Sequence, residues 1–391
     1  MSPTVNDSPD YRMFILNASK RCEPSAFLFT KAVNFFLLNG YRIGSAIDDC
    51  TVILVNSCCV TEDKIAASLA ALEIARAHTD RKRIVLFGCL ASLPLPHLGR
   101  EGLICIGPKD LDALDTHFPH HTSIRDIPCN RLHPALYEPG QGLRHGEYCV
   151  LIAQGCVNQC SYCNVKRSKG AVRSEPPSAI VPQIRQGLFL GVDEFTLLAD
   201  DCASYGNDIG LDLVQLLEQL IGVGDDFRIK LGYVFPAYLL KRFSGLESLL
   251  RAGRVSYLNI PVQSGSQRIL HLMNRQYAID RVLECVRRLR EAGPHTTVCT
   301  HLLVNFPTES REEFLASLRV ADEFDEVLFL HYSDNRGTAA ADLQPKVPPP
   351  EIRRRLDIAS EYINRRKPGH GAVIKDFNCQ APYNIRRPSG G

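Results

Sequence analysis

Residues 155–166 read GCVNQCSYCNVK and place Cys156, Cys160 and Cys163 within nine positions. Spacings of four and three bring three thiols onto one face of a single loop. There they can hold a metal ion, hold an iron–sulfur cluster, or simply fill space. A free cysteine is most often a small buried hydrophobe, but three in so short a stretch fit that description poorly. Structural zinc is the better rival, with His145 or Cys149 as a fourth ligand. Zinc sites usually come as two separated ligand pairs, whereas this set is a compact triple. A compact triple suits a [4Fe–4S] cube with three irons held and the fourth left open.

Such a loop needs a rigid strand behind it. Apolar runs alternate with helical periodicity along most of the chain, which predicts β/α architecture with parallel strands. In residues 1–145 the runs RMFILN, CTVILVNS and RIVLFGC read as strands of a small open α/β sheet, followed by a linker rich in Pro, Gly and His. Residues 146–345 restart the alternation with YCVLIA, EFTLLAD, FRIKLGYV, VSYLNIP, TTVCTHLLV and EVLFLHYS. Six β/α units are too few to close an eight-stranded barrel, so an open, partial (β/α)6 barrel is predicted. Residues 346–391 form a basic helix and tail with ten Lys/Arg against four Asp/Glu.

The three-cysteine loop emerges at the carboxyl end of the first strand of the second part, the edge at which parallel α/β folds bind ligands. Cys58 ends TVILVNSC, Cys89 ends RIVLFGC, and Cys22 lies in the loop after the first strand. These three are candidates for a second three-thiolate site. Cys50, Cys105, Cys129, Cys149, Cys202, Cys285, Cys299 and Cys379 read as buried packing residues. Cys59 reads the same way, because adjacent side chains at a strand end point to opposite faces.

The 391 residues are 45% hydrophobic, enough for two or three domains. No stretch reads as a secretory leader or a membrane span. The fifteen cysteines therefore point to a reducing, cytoplasmic setting and to metal or redox chemistry rather than disulfides. A net charge of +2 favours no particular partner.

Cys-x3-Cys-x2-Cys with Tyr162 before the last cysteine resembles the signature of radical S-adenosylmethionine enzymes. GCVNQCSYCNVKRSKGAVRSEPPSAI, NIPVQSGSQRILHLMNRQY, HLLVNFPTESREEF and HYSDNRGTAAAD resemble the methylthiotransferase branch, as do VNSCCVTEDKIAASL and LFGCLA in the first part. The resemblance implies that Cys156, Cys160 and Cys163 hold a radical cluster whose open iron chelates S-adenosylmethionine. It implies that Cys22, Cys58 and Cys89 hold an auxiliary [4Fe–4S] cluster that delivers sulfur. It places Gln263 and Ser264 near the cofactor pocket and Tyr162 beside the adenine, and it implies an electron donor such as flavodoxin or ferredoxin. The reaction implied is insertion of sulfur, or of a methylthio group, at an unactivated C–H.

Three departures bear on the acceptor. The family normally ends in a small RNA-binding β-barrel, the TRAM domain, and here only a helix and a Pro/Gly-punctuated tail follow residue 345. The family's D-x-x-x-G-F-P-G-E is HLLVNFPTE, with His301, Asn305 and Thr308 in place of Asp and two glycines. The Arg-rich run after the cluster loop is diluted to SKGAVRSE, which weakens attraction to phosphate. Together these predict a small metabolite or a peptide as acceptor. The alternatives are a tRNA adenosine near the anticodon and, in a different class, a zinc-stabilised RNA-binding protein.

Overall fold

The computed structural model of the chain describes residues 11–78, 82–94, 99–138, 146–366 and 373–375. His145 and Cys379 lie outside the described residues. The chain forms two compact units, Met1–Pro139 with Arg167–Lys169, and Gly140–Lys166 with Gly170–Gly391.

In the first unit the apolar runs become strands β1 (Arg12–Asn17), β2 (Arg42–Ile43), β3 (Val52–Ser57), β4 (Arg83–Gly88) and β5 (Leu103–Ile106). All pairings are parallel, in the order β2-β1-β3-β4-β5. Every residue of β3 is buried, as a central strand covered on both faces requires. Helix Glu62–Arg76 is started by the Thr61 side chain, which accepts from the Lys64 N–H, and carries Glu62 and Asp63 at its positive end. The connections leave β1 and β3 on opposite sides of a reversal in strand order. The carboxyl edge at such a reversal is the usual ligand crevice of an open α/β sheet.

The second unit adds β6 (Tyr148–Leu151), β7 (Ala153–Gln154), β8 (Arg173–Ser174), β9 (Glu194–Leu198), β10 (Arg228–Leu231), β11 (Val255–Asn259), β12 (Thr297–Val304), β13 (Glu326–His331) and β14 (Val373–Lys375). Its main sheet is parallel in the order β14-β13-β12-β11-β10-β9-β6. Helices Pro177–Phe189, Leu213–Ile221, Pro236–Arg251, Ile279–Ala292, Arg311–Val320 and Pro349–Arg366 make the successive crossovers. Two of them start with reciprocal capping, Asp212 with Gln215 and Ser310 with Glu313. The sheet is therefore the expected open α/β array, with one difference: it has seven strands rather than six. The seventh, β14, lies in the C-terminal segment and pairs with β13 through Leu328, Phe329 and Leu330.

Candidate metal centres

The three-cysteine loop of the second unit is closed at its base by a short antiparallel ladder, Ala153 opposite Ser174 and Gln154 opposite Arg173. Gly155 opens the loop at φ +80°, and a Cβ there would stand 2.3 Å from the Ala171 carbonyl oxygen, so only glycine fits. Its N–H donates to Asp200 beyond β9 at 2.8 Å. Ser161 donates its N–H to Met273 O at 3.0 Å and its hydroxyl to Leu272 O at 2.7 Å. The Asn335 amide, beyond β13, donates to Tyr162 O at 3.1 Å. Loops from the carboxyl ends of β9, β11 and β13 thus fix one short segment in place.

The sulfurs are close enough to feel one another. Burial pushes the Cys163 thiol up to about 12, and the neighbouring Cys160 adds to it. Burial pushes Cys156 up to about 11, with the Asp201 carboxylate acting the same way. Against this, Asn158 donates its backbone N–H and its amide to Cys156 Sγ at 3.4 and 3.2 Å, while the Ser204 hydroxyl lies 3.7 Å from the same sulfur and gives its one proton to Asp201 Oδ2 at 2.6 Å. Arg275 Nη1 donates to Cys160 Sγ at 3.3 Å. Donors aimed at sulfur stabilise the thiolate once a metal displaces the proton. The thiols are free, and among the described residues no group of three or more His, Cys, Asp or Glu is arranged around a single ion. A four-iron cube takes each thiolate on a different iron, so its ligands stand further apart than those of one zinc. Cys149, the proposed zinc partner, is fully buried in β6 and directs its thiol to its neighbour Glu147 O at 3.6 Å.

The other expected residues divide. Gln263 sits on the rim at φ +70°, its backbone locked to β12 through His301 O and the Leu303 N–H, each at 2.8 Å. Its side-chain Oε1 is buried without a hydrogen-bond partner. Ser264 is fully buried and spends its hydroxyl on Ser317 and on the Ser266 N–H, tying the loop to helix Arg311–Val320. The Tyr162 hydroxyl meets Arg275 Nη1 at 3.4 Å and its ring meets Phe306 edge-on. His301 Nε2 lies 3.0 Å from the Asn259 amide, with Tyr233 against the ring. Asn305 and Thr308 hold φ of +62° and +68°. The backbone keeps the left-handed turns that glycine would serve, with side chains that strain to adopt them. Sequence reasoning missed Asp201, Ser204 and Arg275, which lie far along the chain from the cysteines, and Asn158, which lies inside the loop GCVNQCSYCNVK but is no metal ligand itself. Arg275 nevertheless lies inside the quoted segment LMNRQY.

In the first unit, Cys22 precedes helix Glu23–Leu38, Cys58 follows β3, and Cys89 opens the short helix Cys89–Ser92 after β4. The Asn56 amide donates to Asn17 Oδ1 at 2.9 Å and to Ser19 O at 3.3 Å, joining the loops after β1 and β3. Ser68 accepts the Cys58 N–H and donates to its carbonyl. Burial raises the Cys22 thiol, and Cys89 and Cys58 push it further; Cys58 is likewise raised by burial and then by Cys89. The three expected thiols are therefore neighbours. Cys59 requires a correction. It is buried, but its thiol hydrogen-bonds Cys89 instead of pointing away from it. The strand ends at Ser57, so the two-residue alternation no longer governs Cys58 and Cys59.

The Radical SAM superfamily profile matches residues 150–321. A ribosomal protein uS12 methylthiotransferase RimO from Thermodesulfovibrio yellowstonii is 30% identical over 348 residues, 85% of this chain and 78% of that protein. A tRNA-2-methylthio-N(6)-dimethylallyladenosine synthase from Syntrophobacter fumaroxidans is 30% identical over 391 residues, 92% of this chain and 83% of that protein. A probable threonylcarbamoyladenosine tRNA methylthiotransferase from Pyrococcus horikoshii is 29% identical, covering 78% and 73%. Among solved structures, the radical S-adenosylmethionine methyltransferase TsrM from Kitasatospora setae superposes with a TM-score of 0.53 at 14% identity, covering 81% of this chain and 72% of that one. That last likeness establishes the fold.

Proposed function

Because the chain belongs to the radical S-adenosylmethionine methylthiotransferases, we propose that it attaches a methylthio group to an adenosine of tRNA near the anticodon. It is an enzyme of the sulfur-inserting transferase kind, and its cofactors are S-adenosylmethionine and two [4Fe–4S] clusters. The observation that carries the reading is the pair of all-thiol trios, each at the carboxyl edge of a parallel sheet. Cys156, Cys160 and Cys163 hold the radical cluster, and Cys22, Cys58 and Cys89 the auxiliary one. Bound there, the cofactors supply a carbon radical, sulfur and methyl, chemistry beyond the reach of any side chain.

The protein's own part is to hold and to tune. Six buried or half-buried thiols give up protons on loading. Asn158 and Arg275 direct hydrogen-bond donors at two of the resulting thiolates. On the rim, Gln263 Oε1 and Asn259 Oδ1 are buried acceptors without a partner, placed to receive polar hydrogens of cofactor or acceptor.

The acceptor reading departs from the small metabolite or peptide that the sequence suggested. Relatives spanning most of this chain are named for tRNA adenosines and for a ribosomal protein. Asn305 and Thr308 preserve the left-handed backbone of that wall, so the two lost glycines leave its course unchanged. No helix among the described residues is long and apolar enough to cross a membrane. Mass spectrometry of total tRNA nucleosides from a deletion strain and its parent tests the proposal. Loss of a methylthioadenosine on deletion is expected. Unchanged nucleosides, with uS12 lighter by a methylthio group, would transfer the assignment to the ribosomal protein. No change in either would return it to a smaller acceptor.

A further inference from the structure

Arg275 is 3% exposed and holds its guanidinium in a closed shell. Nε donates to the Tyr277 hydroxyl at 3.1 Å, and Nη2 to Pro261 O at 2.6 Å. Nη1 reaches Cys160 Sγ at 3.3 Å and the Tyr162 hydroxyl at 3.4 Å. The Phe235 ring lies 4.4 Å from the guanidinium carbon and the Tyr277 ring 5.5 Å. The other buried arginine among the described residues, Arg355, has Glu309 and Glu351 at 3.0 Å each. Arg275 has no such carboxylate in its shell among the described residues. Asp201 feels the guanidinium's charge, but its oxygens are taken by Asn158, Ser204 and the Ala203 and Phe235 N–H groups.

A buried guanidinium without a counter-charge is costly. Its neighbours are two neutral phenols, a peptide carbonyl, two aromatic faces and one sulfur. Only the sulfur takes a full negative charge at neutral pH, and it does so when a metal displaces its proton. We propose that Arg275 is the built-in counter-ion of the cluster held by Cys156, Cys160 and Cys163, and that it sets how readily that cluster accepts an electron. The proposal rests on the assignment of those cysteines made above. Hydrogen bonds and positive charge near cluster sulfurs favour the reduced form, which carries one more negative charge. Residues on two sides hold the guanidinium in this role. Tyr162 and Cys160 come from the cluster loop, while Pro261 and Tyr277 come from the segment after β11. Arg275 is thus a positioning and electrostatic residue, acting through the cluster rather than on the acceptor.

A purely structural tie between the two segments makes different predictions. The test uses full-length, anaerobically reconstituted protein and an EPR-monitored redox titration of the cluster signal that changes when S-adenosylmethionine is added. Arg275→Gln keeps hydrogen-bond donors without charge, and Arg275→Lys keeps charge without the fork. The midpoint of Arg275→Gln is expected to move to more negative potential, with Arg275→Lys close to wild type. An unchanged midpoint in Arg275→Gln at full iron content, or an equal shift in both variants, overturns the proposal. If wild type itself shows no signal that responds to S-adenosylmethionine, the cysteine assignment fails instead, and the inference with it. Should Arg275→Gln load no cluster, thermal unfolding of the metal-free proteins decides. Metal-free Arg275→Met is expected to be at least as stable as metal-free wild type, because an unpaired buried charge has gone. Marked destabilisation of that metal-free variant would make Arg275 a tie and nothing more.

Discussion

Thr308 pairs a β-branched side chain with φ +68°, a conformation in which its Cβ crowds its own backbone. What holds it there is visible: its N–H donates to Pro345 O at 2.8 Å, and Arg268 binds both its hydroxyl and its carbonyl. Removing the side chain relieves the strain and loses only the exposed hydroxyl contact, so Thr308→Gly should raise stability by about 1 kcal/mol. Urea denaturation of the two proteins checks this, and a less stable glycine variant would mean that Arg268 contributes more than the strain removes. Cys59 teaches a related lesson at this scale. Alternation along a strand is a rule about pleated backbone, and it lapses one residue after the pleat ends, which is where Cys58 and Cys59 lie.

Helix Arg311–Val320 is the element that braces the rim. Ser317 receives the Gly265 N–H at 2.9 Å, and Glu313 accepts from Ser266 Oγ, from the Ser310 N–H, and from Arg268 Nε and Nη2. The Arg268 hydrogen bonds, chiefly, hold the Glu313 carboxyl down at about 2 instead of its usual 4.5. A depressed carboxyl contributes stability that is present above the unfolded-state value and is lost as pH falls toward the folded-state value. Wild type should therefore lead Glu313→Gln in denaturant midpoint at pH 6, with the lead shrinking between roughly pH 4.5 and pH 2. A lead independent of pH across that window would show that the helix cap, not the carboxylate charge, is what matters. On the other side of the same helix start, Arg355 of helix Pro349–Arg366 reaches the buried Glu309, whose second oxygen is one of the buried acceptors left without a partner.

At the scale of the whole chain, the sequence makes visible whatever is written locally. Three thiols in one loop, strands read from unbroken apolar runs, and the parallel α/β class all follow from neighbours in sequence. The proposed second trio can be read from the sequence for a related reason, because Cys58 and Cys89 directly follow readable strands and Cys22 lies in the loop after the first. What escaped is written across the fold. Asp201 follows β9 and Arg275 follows β11, and only the sheet brings them to the sulfurs of a loop that follows β7. Strand β14 escaped because three residues beyond a Pro/Gly-punctuated stretch carry no periodicity, and pairing with β13 alone makes them a strand. For the acceptor, the two lost glycines suggested a changed wall, whereas the backbone at Asn305 and Thr308 keeps the left-handed conformation that glycine would serve.

The central claim is that two separate thiol trios hold two clusters with different tasks. It is tested most directly by replacing Cys156, Cys160 and Cys163 together with alanine in anaerobically reconstituted protein, and by measuring iron content and 5′-deoxyadenosine from S-adenosylmethionine. Wild type should bind about eight irons per chain and release 5′-deoxyadenosine on reduction. The triple variant should keep about four irons, held by Cys22, Cys58 and Cys89, and release none. A triple variant that still makes 5′-deoxyadenosine, or that retains the full iron content, would contradict the account.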